Sequence, residues 1–91
     1  MNIDEFVLHY KKDLDDTNAN KKPTESNCIL SVPYQDCKQF KTKDLIETGK
    51  KYGLIISKAI HFPTSDEYLK NQYKRQGGIV IYYKGDEELF L

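Results

Sequence analysis

Apolar residues recur at helical spacing from the start of the chain. Ile3, Phe6, Val7, Tyr10 and Leu14 follow the i, i+3, i+4, i+7, i+11 rhythm of one helix stripe. Asn2 stands where a cap belongs, and Glu5 three residues later completes capping-box spacing. Asp4 and Glu5 also suit the positive end of a helix dipole. The stretch FVLHY reads equally as an alternating strand, so the sequence leaves helix or strand open over residues 3–15. Residues 16–26, DTNANKKPTES, are polar apart from Ala19 and read as a flexible loop. Cys28 to Val32 then read as a short strand stopped by Pro33, with Cys28, Leu30 and Val32 on one face.

Thr42 is placed to cap a second helix, KDLIETGKKYG. Asp44 and Glu47 lie near its start, Lys50 and Lys51 near its end, and Gly53 just beyond. Leu45, Ile46 and Tyr52 form its stripe, and Gly49 allows a close approach. The run LIISKAIHF, 54–62, is the strongest strand signal. Leu54, Ile56, Ile60 and Phe62 share one face, interrupted by Lys58, and Ile55, Ser57, Ala59 and His61 share the other. Apolar residues on both faces predict a central strand, ended by Pro63. Thr64 or Ser65 caps a third helix over 66–76, with Tyr68, Leu69, Gln72 and Tyr73 facing inward and Gly77 and Gly78 stopping it. IVIYY and ELFL then pair as a hairpin around Lys84, Gly85 and Asp86, and the second of them forms a sheet edge. The order α-β-α-β-α-β-β predicts a single α+β domain over residues 1–91. Its sheet has about four mainly antiparallel strands, with helices packed on one face.

Composition narrows the class of molecule. A chain of 91 residues buries only about 60–65% of its extended surface, so one modest core is the limit. Seven Tyr and four Phe supply large packing surfaces in a chain without Trp. No apolar run is long enough to span a membrane, and MNIDEFVLHYKKD lacks the apolar core of a signal peptide. With two cysteines, a reducing cytoplasmic setting is expected. Thirteen Lys against one Arg, with many Asn, Ile and Tyr, suggest an AT-rich genome. The net charge of zero conceals an asymmetry: −3 over residues 1–37, +6 over 38–84 and −3 over 85–91.

Catalytic patterns are missing. Cys28 and Cys37, with His9 and His61, lack the paired spacing of a zinc site, so neither metal nor cofactor is expected. A disulfide would require the chain to double back at Pro33. The expected state is a small buried hydrophobe at Cys28 and a half-exposed thiol at Cys37. A thiol enzyme built on Cys37 with Lys38 and His61 is the remaining nucleophilic alternative. No G-x-S-x-G, G-x-G-x-x-G or phosphate-binding loop occurs, and Gly49-Lys50-Lys51 follows a helix instead of opening one. Glu25, Asp36 and Lys38 could serve a metal-dependent nuclease only if the acids met at strand ends, and Asp36 follows a proline turn. The chain is therefore expected not to be an enzyme.

Two surfaces remain. Lys38, Lys41, Lys43, Lys50, Lys51, Lys70, Lys74 and Arg75, interleaved with Tyr34, Phe40 and Tyr73, form the mixture that holds nucleic acid by charge and stacking. The C-terminal hairpin offers Tyr82 and Tyr83, pointing to opposite sides with at least one exposed, beside the acidic Asp86, Glu87 and Glu88. In size, composition and lack of catalytic motifs the chain is similar to small accessory proteins of phages and mobile elements. Many of those inhibit a host nuclease or defence complex by binding it. That likeness implies a protein-binding inhibitor of a host nucleic-acid-processing or CRISPR-type complex; it carries over no residues, and the hairpin is the expected contact surface on the strength of its own tyrosines and acids. The alternative is a small nucleic-acid-binding regulator using the basic 38–75 segment.

Overall fold

The first helix forms as its apolar stripe predicts, in a computed structural model that describes residues 1–20, 22, 24, 27–62 and 64–90. Helix α1 spans Ile3–Asn18 and buries Phe6, Val7 and Leu14, with Ile3 and Tyr10 packed beside them. Asn2 Oδ1 accepts a hydrogen bond from the Glu5 backbone N–H at 2.8 Å, and Asn2 Nδ2 donates to Glu5 Oε1 at 2.9 Å. The strand alternative for FVLHY is thereby removed. Helix α1 also runs into the stretch read as a loop, ending at Asn18. Residues 21, 23, 25 and 26 of that stretch, with Pro63 and Leu91, lie outside the described residues.

The chain continues through strand β1 (Ile29–Val32), a short helical turn α2 (Tyr34–Cys37), helix α3 (Thr42–Lys51) and strand β2 (Leu54–Lys58). A 3-10 turn (Ala59–His61), helix α4 (Glu67–Gln76), strand β3 (Ile79–Tyr83) and a second 3-10 turn (Glu87–Phe90) complete it. The α+β class holds. The sheet has three strands instead of four, in the order β1-β3-β2, with both neighbours antiparallel to β3.

The central strand is IVIYY and not LIISK. Ile81 of β3 faces Leu30 on one side and Ile56 on the other. This placement explains three departures from expectation. First, both edges of β3 are occupied, so no edge is left for a hairpin partner, and Glu87–Phe90 turns across the sheet as a 3-10 segment. Phe90 is buried there, 4.8 Å from the Tyr82 ring and 5.1 Å from that of Phe62. Second, the last pair of β2 is Lys58 with Ile79, where β3 begins. Beyond it the strand coils into a 3-10 turn, which buries Ala59 and Phe62 and leaves Ile60 52% exposed. Third, helices cover both faces of the sheet instead of one.

On the first face, Leu54, Ile56, Ile79, Ile81 and Val32 pack against Phe6, Val7 and Leu14 of α1 and Leu45 of α3. On the second, Val80 and Tyr82 meet Cys28, Ala59, Phe62 and Phe90, with Tyr73 of α4 edge-on to Phe62 at 5.2 Å. Helix α4 is capped by Asp66, whose Oδ1 accepts from the N–H groups of Tyr68 and Leu69 at 2.9 and 3.3 Å. The expected cap residue Thr64 supports it one step back, accepting from the Asp66 N–H at 3.1 Å. Tyr68, expected to face inward, is exposed, and so is Gln72.

Two tight features hold these layers. Gly49 lies against Ile56, where an added Cβ would stand 2.9 Å from that side chain, so α3 seats directly on β2. Asp4 Oδ1 accepts from Tyr52 Oη at 2.8 Å and Lys51 Nζ at 3.1 Å, tying α1 to the end of α3. Those two bonds, Tyr52 first, hold the Asp4 carboxyl below its usual pKa.

Gly78 is the glycine least open to change. Its φ is +74°, and a Cβ there would lie 2.0 Å from the Val32 carbonyl oxygen and 2.7 Å from Tyr34 N. Gly78→Ala is expected to cost about 2–5 kcal/mol, combining left-handed strain with a backbone clash. Gly85→Ala, at φ +110° with nothing within 4 Å, carries strain alone and should cost about 1–2 kcal/mol. Urea titrations of the two variants check the ranking, and equal costs would contradict the close approach at Gly78. Asp4→Asn should destabilise the fold near neutrality. A depressed carboxylate pKa stabilises above its unfolded value, about 4, and this is lost as pH falls through the folded value. The variant and the native chain should therefore converge in acid, as read from unfolding midpoints across that range.

Candidate functional site

β1 and β2 run the same way and end at one edge of the sheet, where β3 begins. The chain leaving β1 builds one wall of a groove there, with Tyr34, Cys37, Lys38, Phe40, Lys41 and Thr42. Lys58 and Ile60, leaving β2, build the other. Gly77, Gly78 and Ile79 complete it, and two residues without side chains keep that part of the lining low. The groove encloses about 560 Å³ and no carboxylate lines it. Tyr34 is 60% exposed, Ile60 is similarly open, and Phe40 is half-buried, its ring 5.0 Å from that of Phe6. Among the described residues no ion pair engages Lys38, Lys41 or Lys58.

α3 begins beside this wall and carries Asp44 in its first turn. Thr42, expected as its cap, is instead the first helical residue, and Lys41 occupies the cap position with no side-chain hydrogen bond.

The expected basic residues divide into separate places. Lys38 and Lys41 line the groove. Lys51 is held by Asp4 at 3.1 Å, and Lys50 lies 3.9 Å from Glu47. Lys50 also borders a smaller hollow of about 420 Å³ with Gly53, Leu54, Ile55 and Lys84. Lys70, Lys74 and Arg75 belong to α4 and do not line the groove. Lys58 escaped the sequence reading as a binding residue. Its signal was visible all the same, as the one charge interrupting the apolar face of 54–62.

The hairpin surface does not assemble. Tyr82 is only 3% exposed and sits in the second core, where burial first, then the Glu87 charge, raises its phenol pKa. Tyr83, on the opposite face, is half-buried against the first core. Asp86 and Glu87 are half-buried, and Glu88 is exposed. The five side chains are thus split between the two faces of the sheet and the segment that follows β3.

The cysteines belong to different cores. Cys28 is fully buried on the second face of the sheet, and Cys37 is buried on the first, with no disulfide between them. Cys37 is 5% exposed, which corrects the half-exposed expectation, and burial raises its thiol pKa. His61 is exposed on the 3-10 turn and is not part of the groove lining. Among the described residues no three His, Cys, Asp or Glu side chains gather as metal ligands, and no helix is long and apolar enough to cross a membrane.

Comparison with protein-family models, with curated proteins and with solved structures finds no match to this chain.

Burial makes both thiols poor nucleophiles, and at Cys37 a raised pKa adds to it. In the native protein they should react with a disulfide reagent at least about 100-fold more slowly than in denaturant, because reaction requires local opening. Cys28 should be the slower of the two. Rapid labelling of Cys28 in the folded chain would contradict its place in the second core.

Proposed function

We propose that this chain is a non-enzymatic binding module whose contact surface is the groove at the sheet end, and that its partner presents a polyanionic surface. One observation carries the reading: Lys38, Lys41 and Lys58 converge on a hollow that contains no carboxylate and carries an exposed aromatic ring. Lysines around an acid-free concavity raise the local potential and attract anions before contact is made. The groove therefore supports the binding role expected from the sequence, moved from the C-terminal tyrosines to the opposite end of β3. Such a module would regulate or inhibit by covering nucleic acid, or an acidic face of a nucleoprotein complex.

Heparin chromatography with two charge-matched variants tests the reading. Lys38→Glu combined with Lys58→Glu reverses the groove, and Lys74→Glu combined with Arg75→Glu reverses exposed positions on α4. The native chain and the α4 variant should be retained and elute with salt, and the groove variant should flow through. A native chain that fails to bind, or equal losses in both variants, would refute it.

A further inference from the structure

Resting on that reading, we infer that the groove takes a short segment of single-stranded nucleic acid, with one base laid on Tyr34 and the flanking phosphates against Lys38, Lys41 and Lys58. The chemistry of the two walls selects this occupant. Lysines alone would serve any polyanion. A duplex keeps its bases stacked inside and offers phosphates only, which leaves an exposed ring without a role. An acidic peptide likewise offers carboxylates and no π-face. A single strand presents both phosphate charge and unstacked bases, the pair of features that basic grooves with aromatic platforms hold.

The details fit that occupant. Tyr34 opens α2 directly after Pro33, and its backbone N is locked beside Gly78 by the close approach described above. The ring is thus carried on a fixed piece of chain while most of its surface remains open to solvent. Ile60 adds an apolar surface across the groove. A hollow of about 560 Å³ lies in the range of small-ligand sites, about 300–1,000 Å³, so a few nucleotides at most are engaged at once. No Arg, Asn or Gln lines the groove. Base edges are read mainly by such side chains, so the site is indifferent to sequence.

Three lysines set the salt dependence. For a single strand the slope of log affinity against log salt is about −0.7 per neutralised phosphate, or about −2 here. Affinity should then fall about fifteen-fold between about 50 and about 200 mM salt.

The test is fluorescence anisotropy with a labelled oligo-dT, an oligo-U, a DNA hairpin duplex and a poly-Glu peptide of matched charge, at both salt concentrations. Both single strands should bind at least about ten-fold more tightly than the duplex or the peptide, as one stacked base implies. Tyr34→Ala should weaken single-strand binding by about 5- to 150-fold, the loss of one stacked base, and Tyr34→Phe should restore it. Lys58→Gln should reduce the salt slope by about 0.7. Tyr34 is exposed, so these variants retain the core, and native thermal unfolding confirms that they fold. Equal binding of single strand, duplex and poly-Glu, with no effect of Tyr34→Ala, would overturn this inference and leave the polyanion reading standing. Preference for poly-Glu would overturn it in favour of an acidic protein partner. No binding to any probe would overturn both.

Discussion

β3 has no free side. Its two edges are hydrogen-bonded to β1 and β2, and its two faces are covered by separate apolar clusters. Ile79, Val80 and Ile81 are all buried, and full burial of each such side chain contributes about 1.5–3 kcal/mol. A small domain has only about 5–15 kcal/mol of net stability, so a truncation at any of these positions would remove a large part of it. The other elements are arranged around this strand. α1 and α3 close one face; α4, the turn after β2 and Phe90 close the other. The chain after Tyr83 cannot pair with β3 and must cross over it, which is how Phe90 reaches Tyr82 and Phe62.

The start of β3 ties the fold to the candidate site. Gly78 passes so close to Val32 and Tyr34 that no side chain fits, and its carbonyl accepts from the Ala59 N–H at 3.0 Å. Three segments therefore meet at one backbone crossing: the end of β1, the end of β2 and the beginning of β3. The groove surrounds that crossing, and its lining comes from the same three segments. Residues that a linear reading separates by more than forty positions, such as Tyr34 and Gly78, become neighbours through this contact.

Local signals in the sequence were legible where the deciding physics was local. The Asn2–Glu5 cap, the stripe of α1, the Gly49 approach and the limits of α3 all follow from residues within a few positions of one another. The non-local choices were not legible. Apolar residues on both faces occur in LIISK and in IVIYY alike, and nothing within either run says which is central. Once IVIYY takes the middle, the segment Glu87–Phe90 has no place in the sheet, Tyr82 enters the core and the expected hairpin pairing does not form. The groove was half visible: Tyr34, Lys38, Phe40 and Lys41 lie close together in sequence, but Lys58 and Ile60 join them only because β2 ends at the same edge. In a continuous strand Ile60 would share a face with Leu54 and Ile56, both of which are buried. The strand stops at Lys58 for want of a partner, and the following turn carries Ile60 outward.

A net charge of zero is compatible with an anion-binding groove, because the acids and the lysines are not evenly mixed. Lys11, Lys50 and Lys51 lie within 4 Å of Asp15, Glu47 and Asp4, on α1, on α3 and between those helices. These exposed pairs contribute little to stability, yet they remove those cations from the field available to a ligand. Asp86 and Glu87 follow Tyr83, at the far end of β3 from the groove. At physiological ionic strength, charges more than about 8 Å apart are largely screened from one another. Acids on remote elements therefore do not cancel three lysines that share one concavity. For association, the quantity that matters is this local potential, and the fold raises it by gathering Lys38, Lys41 and Lys58 where no carboxylate lines the surface.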